Sequence, residues 1–107
     1  MPGATVTVIY PSAADATFDM DYYLSTHMPL VQKNWGPEGL RSWKIIKFPA
    51  GAPYSVQATL EWPDIQTFQA AAGGESAKVV LGDVKNFSNK SPVIMGGEVV
   101  AESGHAL

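Results

Sequence analysis

Phe18-Asp-Met-Asp-Tyr-Tyr-Leu-Ser-Thr-His-Met-Pro-Leu30 is the stretch from which the rest of the chain can be read outward. Met20, Tyr23, Leu24, Met28, Leu30 and Val31 form a broad apolar stripe at helical spacing. Asp19 stands where an N-cap belongs, and Asp21 adds negative charge in the first turn, where the helix dipole favours it. Pro29 interrupts the stripe. It has no backbone N–H to donate, so a helix expected over about 19–34 should kink, or split just after His27. Gly36-Pro37-Glu38-Gly39 ends the helical region.

Upstream, Thr5-Val-Thr-Val-Ile-Tyr10 alternates polar and apolar residues, many β-branched, and predicts a strand over about 4–10. Residues 11–17 read as a loop. Downstream, strands are expected over about 40–48 and 54–62, joined by Pro49-Ala-Gly-Ala-Pro53. In the second of these Tyr54, Val56, Ala58, Leu60 and Trp62 share one face, and Ser55, Gln57, Thr59 and Glu61 the other. Asp64 can cap a helix over about 64–72. Thr67 follows where Glu or Gln would complete a reciprocal capping box, so the full box is absent. Gly73-Gly74 separates that helix from another over about 76–84. A last strand is expected over about 92–101, with Gly96-Gly97 as a bulge, followed by a frayed tail over 102–107.

The resulting order is βαββαβ, and no repeat, linker or second domain is visible over 1–107. The fold class expected is α+β, a ferredoxin-like sandwich with a four-stranded antiparallel sheet and helices on one face. The opposite face, on which Trp43 and Ile45 are placed with parts of the first and last strands, is half polar and half apolar. That mixture suits a sheet-to-sheet interface between two subunits, so a homodimer is expected.

Composition narrows the function. At 107 residues, with 46% hydrophobic and 16% charged residues, the chain is long enough for one domain and too apolar for a disordered tail. Seven scattered basic residues and a net charge of −3 argue against nucleic-acid binding, which needs clustered Lys and Arg. The absence of Cys excludes disulfides, iron–sulfur clusters, thiolate zinc sites and Cys nucleophiles. No secretory leader pattern opens the sequence and no apolar run of about 18 residues occurs, so a cytoplasmic protein without membrane association is expected. With two histidines, His27 and His105, nothing in the spacing supports a metal site. Gly-rich phosphate loops are missing, and Ser25 and Ser42 have no base and third partner in view. Asn86-Phe-Ser88 and Asn89-Lys-Ser91 are chance glycosylation sequons in such a setting.

His27 is the residue most suited to chemistry. It lies four residues after Tyr23, on the helical face that carries the apolar stripe. An imidazole there can transfer protons near neutral pH, or it can be a core histidine bonded to a backbone carbonyl that Pro29 leaves free. Trp43, Trp62 and Phe68 can wall an apolar pocket or simply fill the core. Asp83 falls near the end of the last helix, where the dipole disfavours a carboxylate, so it either has a specific partner or is a solvated surface charge.

The run Phe18-Asp19, Tyr22-Tyr23 and His27-Met-Pro29-Leu30 resembles the helix-one signature of the EthD family. Leu81-Gly-Asp83-Val-Lys-Asn-Phe87, followed by Pro92 and Gly96-Gly97, is similar to the family's second signature. The resemblance implies a dimeric α+β barrel with a ligand cavity between sheet and helices in each subunit. Related barrels include cofactor-independent monooxygenases, lactone isomerases, polyketide dehydratases and haem-binding proteins, and the family takes its name from an ether-degradation gene cluster. Carried over, His27 matches the motif histidine and Tyr23 the second of its paired tyrosines. Two functions of different class follow as expectations. The first is a cofactor-independent lyase, isomerase or monooxygenase acting on a small hydrophobic, oxygen-bearing molecule. In it His27 and Tyr23 are catalytic, and Trp43, Trp62, Phe68 and Asp83 bind substrate. The second is a non-catalytic binding or accessory protein for a neighbouring oxygenase. No cofactor and no metal are expected in either.

Overall fold

The computed structural model describes residues 3–103, so residues 104–107 of the expected tail, His105 among them, lie outside the described part. Strand β1 (Ala4–Pro11) sits inside the sheet next to β3 (Tyr54–Trp62), while β2 (Ser42–Lys47) and β4 (Val93–Glu98) form the edges. The order is β2-β3-β1-β4 and every pair is antiparallel. The two inner strands are the ones with the cleanest alternation. Ala4, Val6 and Tyr10 of β1 and Val56, Ala58, Leu60 and Trp62 of β3 are all buried on the helix side. Helix α1 runs through three consecutive stretches: an α-turn Met20–Tyr22, a π-helical turn Tyr23–His27 and an α-helical stretch Met28–Trp35. Helices α2 (Ile65–Ala72) and α3 (Glu75–Gly82) follow β3, and a 3₁₀ turn over Val84–Asn86 leads into β4. This is the four-stranded, helix-backed ferredoxin-like arrangement expected for the chain.

Local chemistry places the helix ends. The Asp19 carboxylate accepts from the Tyr22 N–H, and Asp64 accepts from both the Thr67 N–H and its hydroxyl. The helical region changes type just after His27, where the expected split falls. The turn before it is widened: the Met28 N–H reaches back five residues to the Tyr23 carbonyl, and Pro29 then opens the following α-helical stretch. The Ser25 hydroxyl bonds the Asp21 carbonyl at 2.7 Å, a side-chain contact that competes with the regular ladder in the same turn.

Two expectations about the sheet need correction. Trp43 pairs with Leu60 and Ile45 with Ala58, so both belong to the helix side and not to the outer face. The outer face carries Ile46, Gln57, Ile9 and Val93 in one row across the four strands, and Lys44, Thr59, Thr7 and Met95 in the next. Its apolar content therefore comes from Ile9, Ile46, Val93 and Met95. Gly96-Gly97 forms no bulge, because β1 and β4 pair without a shift from Ala4–Glu98 to Ile9–Val93. Gly96 has a packing reason instead: a Cβ there would lie 2.9 Å from Ile65 Cδ1 and 3.4 Å from the Phe68 ring. Its absence lets α2 press onto the edge strand. The irregularity in the sheet lies between Tyr10 and Pro11, opposite β3. The last strand also stops at Glu98, three residues earlier than read from the sequence.

The core between sheet and helices is aromatic. Trp62, Tyr10, Tyr23, Met28 and Val6 are its largest fully buried side chains. Burial of one such side chain stabilises the fold by about 1.5–3 kcal/mol.

Candidate functional site

Two segments far apart in sequence meet at the start of α1. The Asp19 N–H bonds the Phe87 carbonyl at 2.8 Å, and Phe18 forms a short bridge with Ser88. This contact brings the end of α3 against the first turns of α1. Asp83, the C-cap of α3, then faces His27, and its Oδ2 lies 2.9 Å from His27 Nδ1. The other carboxylate oxygen accepts from the Tyr22 hydroxyl at 2.7 Å and from the Asn86 amide at 2.8 Å. A carboxylate against the helix dipole thus has its specific partner. The core-histidine alternative, a bond to a carbonyl freed by Pro29, is not what Nδ1 makes.

The electrostatics follow from these contacts. Burial pushes the Asp83 carboxyl up, but the hydrogen bonds from Tyr22, Asn86 and His27 outweigh it and hold the group below the ordinary carboxylate range. Asp83 is therefore an anion that only accepts, and His27 donates Nδ1–H to it. For His27 itself burial dominates and pulls the pKa below its usual value, against the opposing influence of Asp83. The residue is 4% exposed and its imidazole neutral at neutral pH, with Nε2 as its basic nitrogen.

The imidazole lines a cavity of about 70 Å³ between the helices and the helix side of the sheet. Its walls are almost entirely apolar, from Val8, Leu60, Phe68, Val80 and their neighbours, and its mouth carries the exposed Leu81 and Ile94. Tyr23 stacks on His27 with ring centroids 5.4 Å apart and planes 13° from parallel. The widened π-turn spans both residues. Phe87 packs into the angle between the two rings, 4.5 Å from the imidazole and 4.9 Å from Tyr23.

Of the residues singled out from the sequence, His27, Tyr23 and Phe68 are brought together around this cavity. Asp83 stands behind His27, outside the wall. Trp62 is buried beneath Trp35 and Phe68, and Trp43 donates its indole N–H to Gln32 at 3.0 Å, so neither joins the lining. Sequence reasoning missed Tyr10 and Trp35 as lining residues, and Tyr22 and Asn86 as partners of Asp83. Tyr10 gave no signal beyond that of a core residue ending a strand. Tyr22 stands beside Tyr23 in the sequence, but neighbours on a helix point about 100° apart, and only the position of Asp83 decides which one meets it.

What this arrangement can do is general acid–base chemistry: a neutral imidazole, oriented by a carboxylate through Nδ1, with its second nitrogen available in an apolar cleft. Among the described residues no group of three or more potential ligands is placed to hold a metal ion, and no helix is long and apolar enough to cross a membrane. The cavity is far too small for a porphyrin.

No family model and no curated protein matches the chain. Solved structures do. An EthD-like protein from Ralstonia eutropha JMP134 is 28% identical, with 96% of each chain covered and a TM-score of 0.81. An EthD family protein from Bacillus halodurans C-125 is 21% identical over 90% of this chain and 97% of its own, with a TM-score of 0.70. SnoaB, a cofactor-independent oxygenase from Streptomyces nogalater, shares the fold at 11% identity and a TM-score of 0.65, with 97% of each chain covered. Two further neighbours of this fold are described as dimeric. Over its full length the chain is thus similar in fold to two EthD structures, and to the first of them in sequence as well.

Proposed function

We propose that this EthD-like chain binds a small hydrophobic, oxygen-bearing molecule in the cavity between sheet and helices, and acts on it as a cofactor-independent acid–base catalyst. The observation that carries this reading is the His27–Asp83 pair at the wall of an otherwise apolar cavity. Asp83 holds one tautomer and stabilises the imidazolium that forms when Nε2 takes a proton. The surrounding Phe87 and Tyr23 rings exclude water and strengthen that interaction. A cofactor-independent oxygenase of the same fold supports the reaction class at the level of fold only.

The same reading places two copies sheet to sheet. Ile9, Ile46, Val93 and Met95 give the outer face enough apolar surface for contact, and more distant structures of this fold are described as dimeric.

The test is an imidazole NMR titration, with His27→Gln used to assign the signals, repeated with a panel of small lactones, quinones and phenols. A His27 midpoint below about 6.5 that moves with one compound class is the expected result. A His27 signal indifferent to pH and to every compound would end the proposal and leave a structural histidine.

A further inference from the structure

A base accounts for only half of the polar equipment of the cavity. Its polar side chains are His27, Trp35 and two tyrosines, Tyr10 and Tyr23. The Trp35 indole N–H is sealed from the cavity and without a partner, and Trp35 lies eight residues along α1 from His27, about 12 Å away. The tyrosines are closer to the imidazole. Tyr23 stacks on it, and Tyr10 meets the Tyr23 ring edge-on at 6.0 Å. Both rings are nearly fully buried, yet neither hydroxyl has a hydrogen-bond partner among the described residues. Phenylalanine would pack as well at both positions. Neither hydroxyl oxygen is closed off as the Trp35 and Trp62 indole nitrogens are, and a hydroxyl held in an apolar cavity is costly unless something else takes its proton in a hydrogen bond.

We propose that the cavity takes an enolisable carbonyl compound, whose oxygen accepts hydrogen bonds from Tyr10 and Tyr23 while His27 Nε2 removes the proton from the adjacent carbon. This rests on His27 acting as the acid–base group and adds the substrate class and the electrophilic half of the site. In the step the C–H bond breaks and its proton forms an N–H bond at Nε2. The released electron pair becomes a C=C bond, and the carbonyl π pair moves onto oxygen. The imidazolium is held by Asp83 and the enolate by the two phenols. Return of the proton to the same or the conjugated carbon gives exchange or a double-bond shift, with no net oxidation. Burial raises both phenol pKa values, so Tyr10 and Tyr23 remain protonated donors at every pH at which His27 can serve as a base. An enolate formed in an apolar cavity without such donors would be strongly destabilised.

The experiment uses cyclohex-3-enone, a one-ring ketone suited to a small cavity, and follows its conversion to the conjugated ketone by ultraviolet absorbance. Phenol, which resembles the intermediate dienolate, serves as the binding probe, read at the His27 imidazole. Tyr10→Phe and Tyr23→Phe each remove one oxygen and keep the ring. Each is expected to slow isomerisation on the order of 10²–10³-fold and to weaken phenol binding, with thermal unfolding essentially unchanged. If phenol moves the His27 signal but the wild type does not turn the ketone over, or the Phe variants match it, the enolate proposal is overturned and the acid–base cavity stands. If neither compound reaches His27, both fail.

Discussion

Asp83→Asn keeps the shape of the side chain and removes its charge, which makes it the sharpest test of the pair. In the native protein the carboxylate collects Tyr22 Oη at 2.7 Å, Asn86 Nδ2 at 2.8 Å and His27 Nδ1 at 2.9 Å. The first two meet Oδ1 and the third meets Oδ2. An amide oxygen can keep the first two bonds, but its NH₂ must then face His27. That group cannot accept, so the imidazole has to present a bare Nδ1 and carry its proton on Nε2. The nitrogen facing the cavity ceases to be a base. Loss of the anion also removes what raises the His27 pKa, so a midpoint already below 6.5 through burial falls further. The cost in stability comes mainly from the buried His27 bond, because Tyr22 is half-buried and Asn86 exposed. Exchanging a charge-assisted bond for a neutral one amounts to about 1–2 kcal/mol, or roughly 4–16 °C in Tm for a domain of this size. Imidazole ¹⁵N spectra read the tautomer, and activity toward any substrate that is turned over should fall on the order of 10²–10⁴-fold. An Asp83→Asn protein that keeps Nδ1–H and an unchanged His27 midpoint would refute the reasoning.

Acid should destabilise the fold in two stages, since His27 and Asp83 both have folded pKa values below the ordinary 6.5 and 3.8. The unfolded chain binds more protons in each window, so the His27 contribution is complete above about 6.5 and disappears as pH falls through its folded value. Urea midpoints should therefore drop between about pH 7.5 and about pH 5, the drop should shrink in His27→Gln, and a flat profile would contradict the burial of a neutral imidazole. Gly96→Ala forces a methyl against Ile65 and Phe68 and should cost about 1–3 kcal/mol, whereas Gly82→Ala, with open space around its Cβ, should be neutral or stabilising. Equal urea midpoints for the two variants would show that α2 can yield. Met95→Lys adds a charge to the outer sheet face beside Thr7, and light scattering should report a dimer for the parent and a monomer for the variant. An unchanged mass would place the subunit contact elsewhere.

Much of the architecture is local information. Alternation along β1 and β3, the carboxylate caps at Asp19 and Asp64 and the helical stripe through Met28 and Val31 each act within a few residues, so the element order could be read directly. His27 was legible for the same reason, as an imidazole placed on the buried face of its own helix. Other features depend on which segments pair. Trp43 and Ile45 alternate with Lys44 whichever way β2 faces, and only the register against Leu60 and Ala58 turns them toward the helices. The chain likewise cannot announce that Asp83, 56 residues beyond His27, will be its partner, or that Tyr22 will meet the carboxylate while Tyr23 stacks on the imidazole. Periodicity determined the elements and the face that carries His27. Tertiary packing determined the carboxylate partner of His27, the rings around it and the cavity, because hydrogen bonds and burial act between atoms close in space, whatever their distance along the chain.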